Sequence, residues 1–193
     1  AQLAAWESGD LQPTTAELRS MAKAYKQSLA TLLLYEPPAE LPLPTDFRTL
    51  NSDEVGGFSE KTIQTVRKAR AMAVSWVELR QEFGLPLGKL PLQASLADEP
   101  RQMAANIHEL LSIRQLQNQG TDTSALEWCI ERLEWWGIAV FQMSLSDDNI
   151  RGFCMTDGAV PTIVIKRSEP ASGKLFTLFH ELGHLLLRQP GIC

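Results

Sequence analysis

Residues 172–189 constrain this chain more than any other segment. Phe176, Leu178, Phe179, Leu182, Leu185, Leu186 and Leu187 recur at helix-compatible spacing, and only Lys174 and Glu181 are charged before Arg188. Such a helix has to be buried, with its polar groups gathered on one stripe. That stripe is His180, Glu181 and His184. Two imidazoles and a carboxylate are costly to bury without partners. Residues four apart lie on one helix face, so His180 and His184 can aim ring nitrogens at a single metal ion. Glu181 stands beside them and can reach a water at that metal. The competing reading is a core helix whose two histidines and glutamate are satisfied by protein groups. Ser172 is the expected N-cap and Pro190-Gly191 the expected stop. Gly183 inside the helix costs about 1 kcal/mol relative to Ala, and a close approach of backbone or side chain would explain it.

His180-Glu181-Leu182-Gly183-His184 has the HExxH pattern of zinc peptidases. The candidate metal ligands are therefore His180 and His184, the candidate general base is Glu181, and the expected cofactor is Zn2+. Imidazole and carboxylate also suit other transition metals. His108, the third histidine, lies beside Glu109 and reads as a surface or helix-packing residue, since no spacing ties it to the motif. Trp128, Trp135 and Trp136 read as packing of a helix onto a sheet. Asp147-Asp148 reads as a solvated turn.

The 193 residues allow one ordinary domain or two small ones. Hydrophobic residues make up 44% and charged residues 21%, enough for a packed core. A net charge of −5 argues against a strongly nucleic-acid-binding surface. Cys129, Cys154 and Cys193 are odd in number and form no CxxC, which fits a reducing cytoplasm rather than a disulfide framework. Cys154 reads as a small buried hydrophobe. No signal peptide is visible, and the apolar run around Leu32-Leu33-Leu34 is too short to span a bilayer, so no membrane partner is expected. Ala1 and the abrupt end at Cys193 read as the ends of a piece of a longer protein.

Residues 1–35 read as short helices, with Leu18, Met21, Ala22 and Tyr25 on one side of the middle one. Pro37, Pro38, Pro42 and Pro44 forbid regular helix or central strand, so 36–50 reads as a semi-rigid linker. A long helix follows from Ser59 to Phe83. A second runs from Asp98-Glu99-Pro100 to about Asn118, and a third covers Ser124 to Trp136. After Gly137 the period becomes strand-like: Ile138–Met143, Ile150–Met155 and Thr162–Lys166, with Asp157-Gly158 as the turn between the last two. Helices, a small sheet and the motif helix make an α+β fold.

Residues 161–187, PTIVIKRSEPASGKLFTLFHELGHLLL, resemble the core of the ImmA/IrrE-type metallo-endopeptidases. Gly137-Ile138, Arg151-Gly152-Phe153 and Gly158 match residues that family carries at similar places. The resemblance covers 98–193 well and 45–97 loosely. Trp6-Glu7-Ser8-Gly9, Pro13-Thr14 and Leu18 resemble the back half of an XRE-type helix-turn-helix domain. Glu36-Pro37-Pro38 and Leu43–Arg48 resemble its joint to such a peptidase. The implied organisation is the C-terminal part of a helix-turn-helix domain at 1–35, a Pro-rich linker at 36–50, and the N-terminal part of a zincin-like peptidase domain at 51–193.

That resemblance implies a zinc-dependent endopeptidase that cleaves a repressor or antitoxin-like regulator, with Glu181 as general base. The alternative is a transcriptional regulator whose peptidase-like domain senses or docks without catalysis. The family's third ligand is acidic and well downstream of the motif, beyond residue 193. The helix that reads DNA bases would precede Trp6, so DNA binding is expected of the full-length protein and not of this piece. Peptidase activity of the piece is expected to be incomplete. The edge of the Thr162–Lys166 strand is the expected seat of an extended substrate.

Overall fold

The computed structural model describes residues 2–25, 27–36, 45–46, 59–116, 120–147, 149–189 and 191–192. The four linker prolines, Asn118, Asp148, Pro190 and Cys193 lie outside the described residues. The chain forms two compact units, Ala1–Pro42 and Leu43–Cys193.

The first unit holds α1 (Gln2–Glu7), α2 (Thr15–Tyr25) and α3 (Leu29–Leu32). A reciprocal cap starts α2: the Glu17 N–H donates to Thr14 Oγ1, while the Thr14 N–H and hydroxyl donate to the Glu17 carboxylate. The Gln2 amide donates to the same carboxylate at 3.0 Å and ties α1 to α2. These N–H and O–H donors, Thr14's first, hold the Glu17 carboxyl below the usual range. Of the expected apolar stripe only Ala22 is buried; Tyr25 is 53% exposed, as are comparable fractions of Leu11, Leu33 and Leu34.

The second unit is a sheet covered on both faces. Strands β2 (Ala139–Met143), β3 (Gly152–Met155) and β4 (Thr162–Lys166) form its centre. Two short strands, β1 (Thr45–Asp46) and β5 (Gly191–Ile192), extend it, in the order β1-β5-β3-β4-β2. β1 thus falls within the stretch expected to be linker. β4 runs parallel to β2 and antiparallel to β3. Alternate residues serve the two faces. Val140, Cys154, Ile163 and Ile165 face α5 (Pro100–Leu110), α6 (Asp122–Trp135) and α7 (Ala171–Leu186). Phe141, Met143, Phe153, Met155 and Val164 face α4 (Glu60–Glu82), where Val66 and Ala69 are fully buried. Burial on both sides is why β4 is an almost unbroken apolar run.

Because β4 is flanked on both sides, it offers no edge, and the expected docking of substrate along Thr162–Lys166 is overturned. The edge on the β4 side of the sheet belongs to β2, where Val140 and Gln142 point backbone groups away from β4. The Glu134 carboxylate accepts from the Val140 N–H and the Trp76 indole. Burial pushes this carboxyl up, and Arg80 and those donors oppose the shift. The Arg167 guanidinium donates to the Gln142 carbonyl through Nε at 3.2 Å and Nη2 at 2.9 Å. Charged side chains thereby close an edge that would otherwise template pairing.

Helix ends follow local chemistry with three departures. Ser59, Glu99 and Thr121 cap α4, α5 and α6 through their side chains. However, α5 stops at Leu110 rather than near Asn118, because Ser112 adopts a left-handed φ of 53°. The cap position of α7 is Pro170, not Ser172, with no side-chain bond. α7 ends at Leu186, before Pro190, and Arg188 turns left-handed at φ 54°. Trp128 packs on the core and donates to the Leu111 carbonyl at 2.8 Å, whereas Trp135 is 59% exposed and does not pack on the sheet.

The reversal from α6 into β2 brings two glycines together. Gly137 has φ 78°, and a Cβ there would fall 2.4 Å from the Gly88 carbonyl oxygen. A Cβ on Gly88 would fall 2.1 Å from the Trp135 oxygen. No helix among the described residues is long and apolar enough to cross a membrane.

Candidate metal centre

α7 lies against β3 and β4 with Leu178, Leu182, Leu185 and Leu186 turned into the core. That orientation fixes where the motif points. Glu181 is fully buried, His184 is half-buried and His180 is exposed. The two histidine rings meet edge to face with centroids 4.9 Å apart. Their Nε2 atoms face each other at 3.3 Å. A tetrahedral zinc with Zn–N bonds of about 2.05 Å separates two ligating nitrogens by about 3.35 Å. The pair therefore has the spacing of two ligands of one metal. Phe176 stacks beside His180, with ring planes 22° apart.

Electrostatics favours the ligating form. Burial, then the neighbouring His180, hold the His184 pKa below the usual histidine value, against a raising contact with the Gln189 backbone. A neutral imidazole is what a metal requires. Burial pushes the Glu181 carboxyl up to about 8, and the Cys154 thiol opposes the shift as a weak donor. Among the described residues, no nitrogen or oxygen donor bonds either carboxylate oxygen. A buried carboxylate so placed calls for a metal-side water or a proton. The residues present thus fit a metal ion through two ligands and an adjacent base. Among the described residues, no group of three or more His, Cys, Asp and Glu converges to hold one.

Four neighbours of the motif came from elsewhere in the sequence. Gly152 lets α7 settle on β3: a Cβ there would fall 2.5 Å from Thr177 Cγ2 and 2.8 Å from the Val164 oxygen. Cys154, two residues on, is buried as expected but also touches Glu181. Arg151 and Asn149 join Gly152, Thr177, His180 and Glu181 around a cavity of about 120 Å³. Gly183, by contrast, has nothing within 4 Å of where its Cβ would be, so the close approach expected there is absent. It borders an apolar groove with Ala94 and Met103 instead. His108 is half-buried on α5 and lines a cavity that no motif residue shares.

A mixed α/β domain whose buried helix brings two imidazoles and a carboxylate together has the make-up of a metallopeptidase-like protein. Residues 134–193, from the end of α6 through the sheet and α7, match the family model for the IrrE N-terminal-like domain, Peptidase_M78. No curated protein and no solved structure matches the chain.

Proposed function

We propose that this chain carries the metal-binding half of a zinc-dependent endopeptidase, fused in its full protein to a helix-turn-helix domain. The observation that carries this reading is the 3.3 Å approach of His180 and His184 Nε2 beside the buried Glu181. His180 and His184 would hold Zn2+, and the family resemblance implies an acidic third ligand downstream of the motif. The bound ion supplies Lewis acidity toward the scissile carbonyl and toward water. Glu181 would take a proton from the attacking water onto its carboxylate as the C–O bond forms, and pass it to the leaving amine as the C–N bond breaks. Its apolar surroundings suit it to hold that proton between the two steps. Arg151 adds a positive charge to the wall of the cavity beside His180 and Glu181. The substrate is a repressor or antitoxin-like regulator in the cytoplasm, and DNA is engaged only through the complete helix-turn-helix domain.

The lack of a third converging ligand among the described residues favours a second reading, a regulator in which the same domain senses or docks without catalysis. Metal content tests the site, and hydrolysis separates the two readings. The purified chain is expected to hold zinc in proportion to protein, and His180→Ala to lose it. Glu181→Gln in the full-length protein is expected to keep zinc and lose hydrolysis. Absence of zinc from every form, or cleavage by the glutamine variant at the wild-type rate, rules the peptidase reading out.

A further inference from the structure

On the opposite face of the sheet, a cavity of about 510 Å³ opens between α4 and the C-terminal end of β2. Lys61, Thr65 and Lys68 line it from one face of α4, at spacings of four and three residues. Ser144 and Ser146 line it from the connection after β2, and Arg167 from the turn after β4. No carboxylate is among its lining residues, although the chain as a whole carries −5. Neither lysine enters an ion pair among the described residues. Arg167 is anchored by two bonds to the Gln142 carbonyl, which fixes the guanidinium at the rim and leaves further N–H donors for another acceptor.

We infer that this cavity binds a small phosphate-bearing molecule. Three cations, one of them preoriented, with two serine hydroxyls suit a compact multivalent anion. The volume is that of a nucleotide-sized ligand rather than a track for a polymer. The acidic balance of the chain disfavours a nucleic-acid backbone. The site is distinct from the motif pocket, yet the β2–β3 connection serves both. It gives Ser144 and Ser146 to this cavity, and Asn149 and Arg151 to the other.

Calorimetric titration of the full chain with inorganic pyrophosphate tests this. One saturable site is expected, weakened by salt. Lys61→Gln with Lys68→Gln should weaken it about tenfold or more, Lys61→Arg with Lys68→Arg should retain it, and Lys89→Gln should leave it unchanged. No saturation at low-millimolar pyrophosphate would overturn the inference. So would equal affinity in the glutamine pair, or binding of sulfate as tight as pyrophosphate. A single-stranded oligonucleotide that binds without competition from pyrophosphate would also overturn it, in favour of a nucleic-acid groove.

Discussion

Glu181 is the residue whose environment says most. Its folded pKa of about 8 lies above the ordinary 4.5, so the folded, metal-free chain keeps a proton that the unfolded chain releases. The stability tied to that proton is whole below about pH 4.5 and is lost as the pH rises through 8. Glu181→Gln removes the titration. Urea unfolding of the metal-free proteins is expected to favour the variant by about 1–3 kcal/mol near pH 8, after allowing for a buried amide, and by little near pH 5. A gap that fails to widen with pH would contradict the assignment. The glycines give a second contrast. Gly152→Ala drives a methyl into Thr177 and the Val164 carbonyl and should cost about 2–4 kcal/mol. Gly183→Ala meets nothing and should gain about 0.5–1 kcal/mol from helix propensity. Thermal melts of the two variants check both signs. At this scale the sequence announced what lies within one helical turn. His180, Glu181 and His184 followed from spacing. Cys154, Gly152 and Arg151 did not, because they reach Glu181 and His180 through packing of a strand some 30 residues away, and no period links the two.

Elements were legible where a period or a cap marked them. α4 and α6 begin at the hydroxyls expected or within three residues of them, and the three central strands follow the alternation after Gly137. What periodicity cannot carry is a single left-handed residue such as Ser112, or the order in which strands pair. The place of β4 in the middle of the sheet depends on nonlocal contacts, and the edge it was expected to offer belongs to β2. That edge is guarded by long side chains from other elements. Arg167→Ala frees the Gln142 carbonyl and should cost about 1 kcal/mol. Light scattering at raised concentration should also show increased association, since an uncapped edge recruits strands. Unchanged stability and unchanged scattering together would remove Arg167 from this role.

For the whole molecule, the two units differ in what holds them. Leu43–Cys193 has two apolar clusters, one on each face of the sheet. Among the described residues of Ala1–Pro42 one apolar residue, Ala22, is buried, and caps and a few side-chain bonds support the helices. Helices of four to eleven residues without a core are marginal in water. A peptide of residues 1–42 should therefore show low helicity and a shallow melt by circular dichroism, and a sharp cooperative transition would contradict this. The contact between Gly88 and Gly137 has a bearing on how the chain tolerates change. Each glycine leaves room that the other's backbone, or the adjoining end of α6, already fills. Once a side chain at one has forced the backbones apart, much of the damage from the second is already done, so the penalties fall short of their sum. The two sites would then tolerate change only in concert, each setting part of the cost of a side chain at the other.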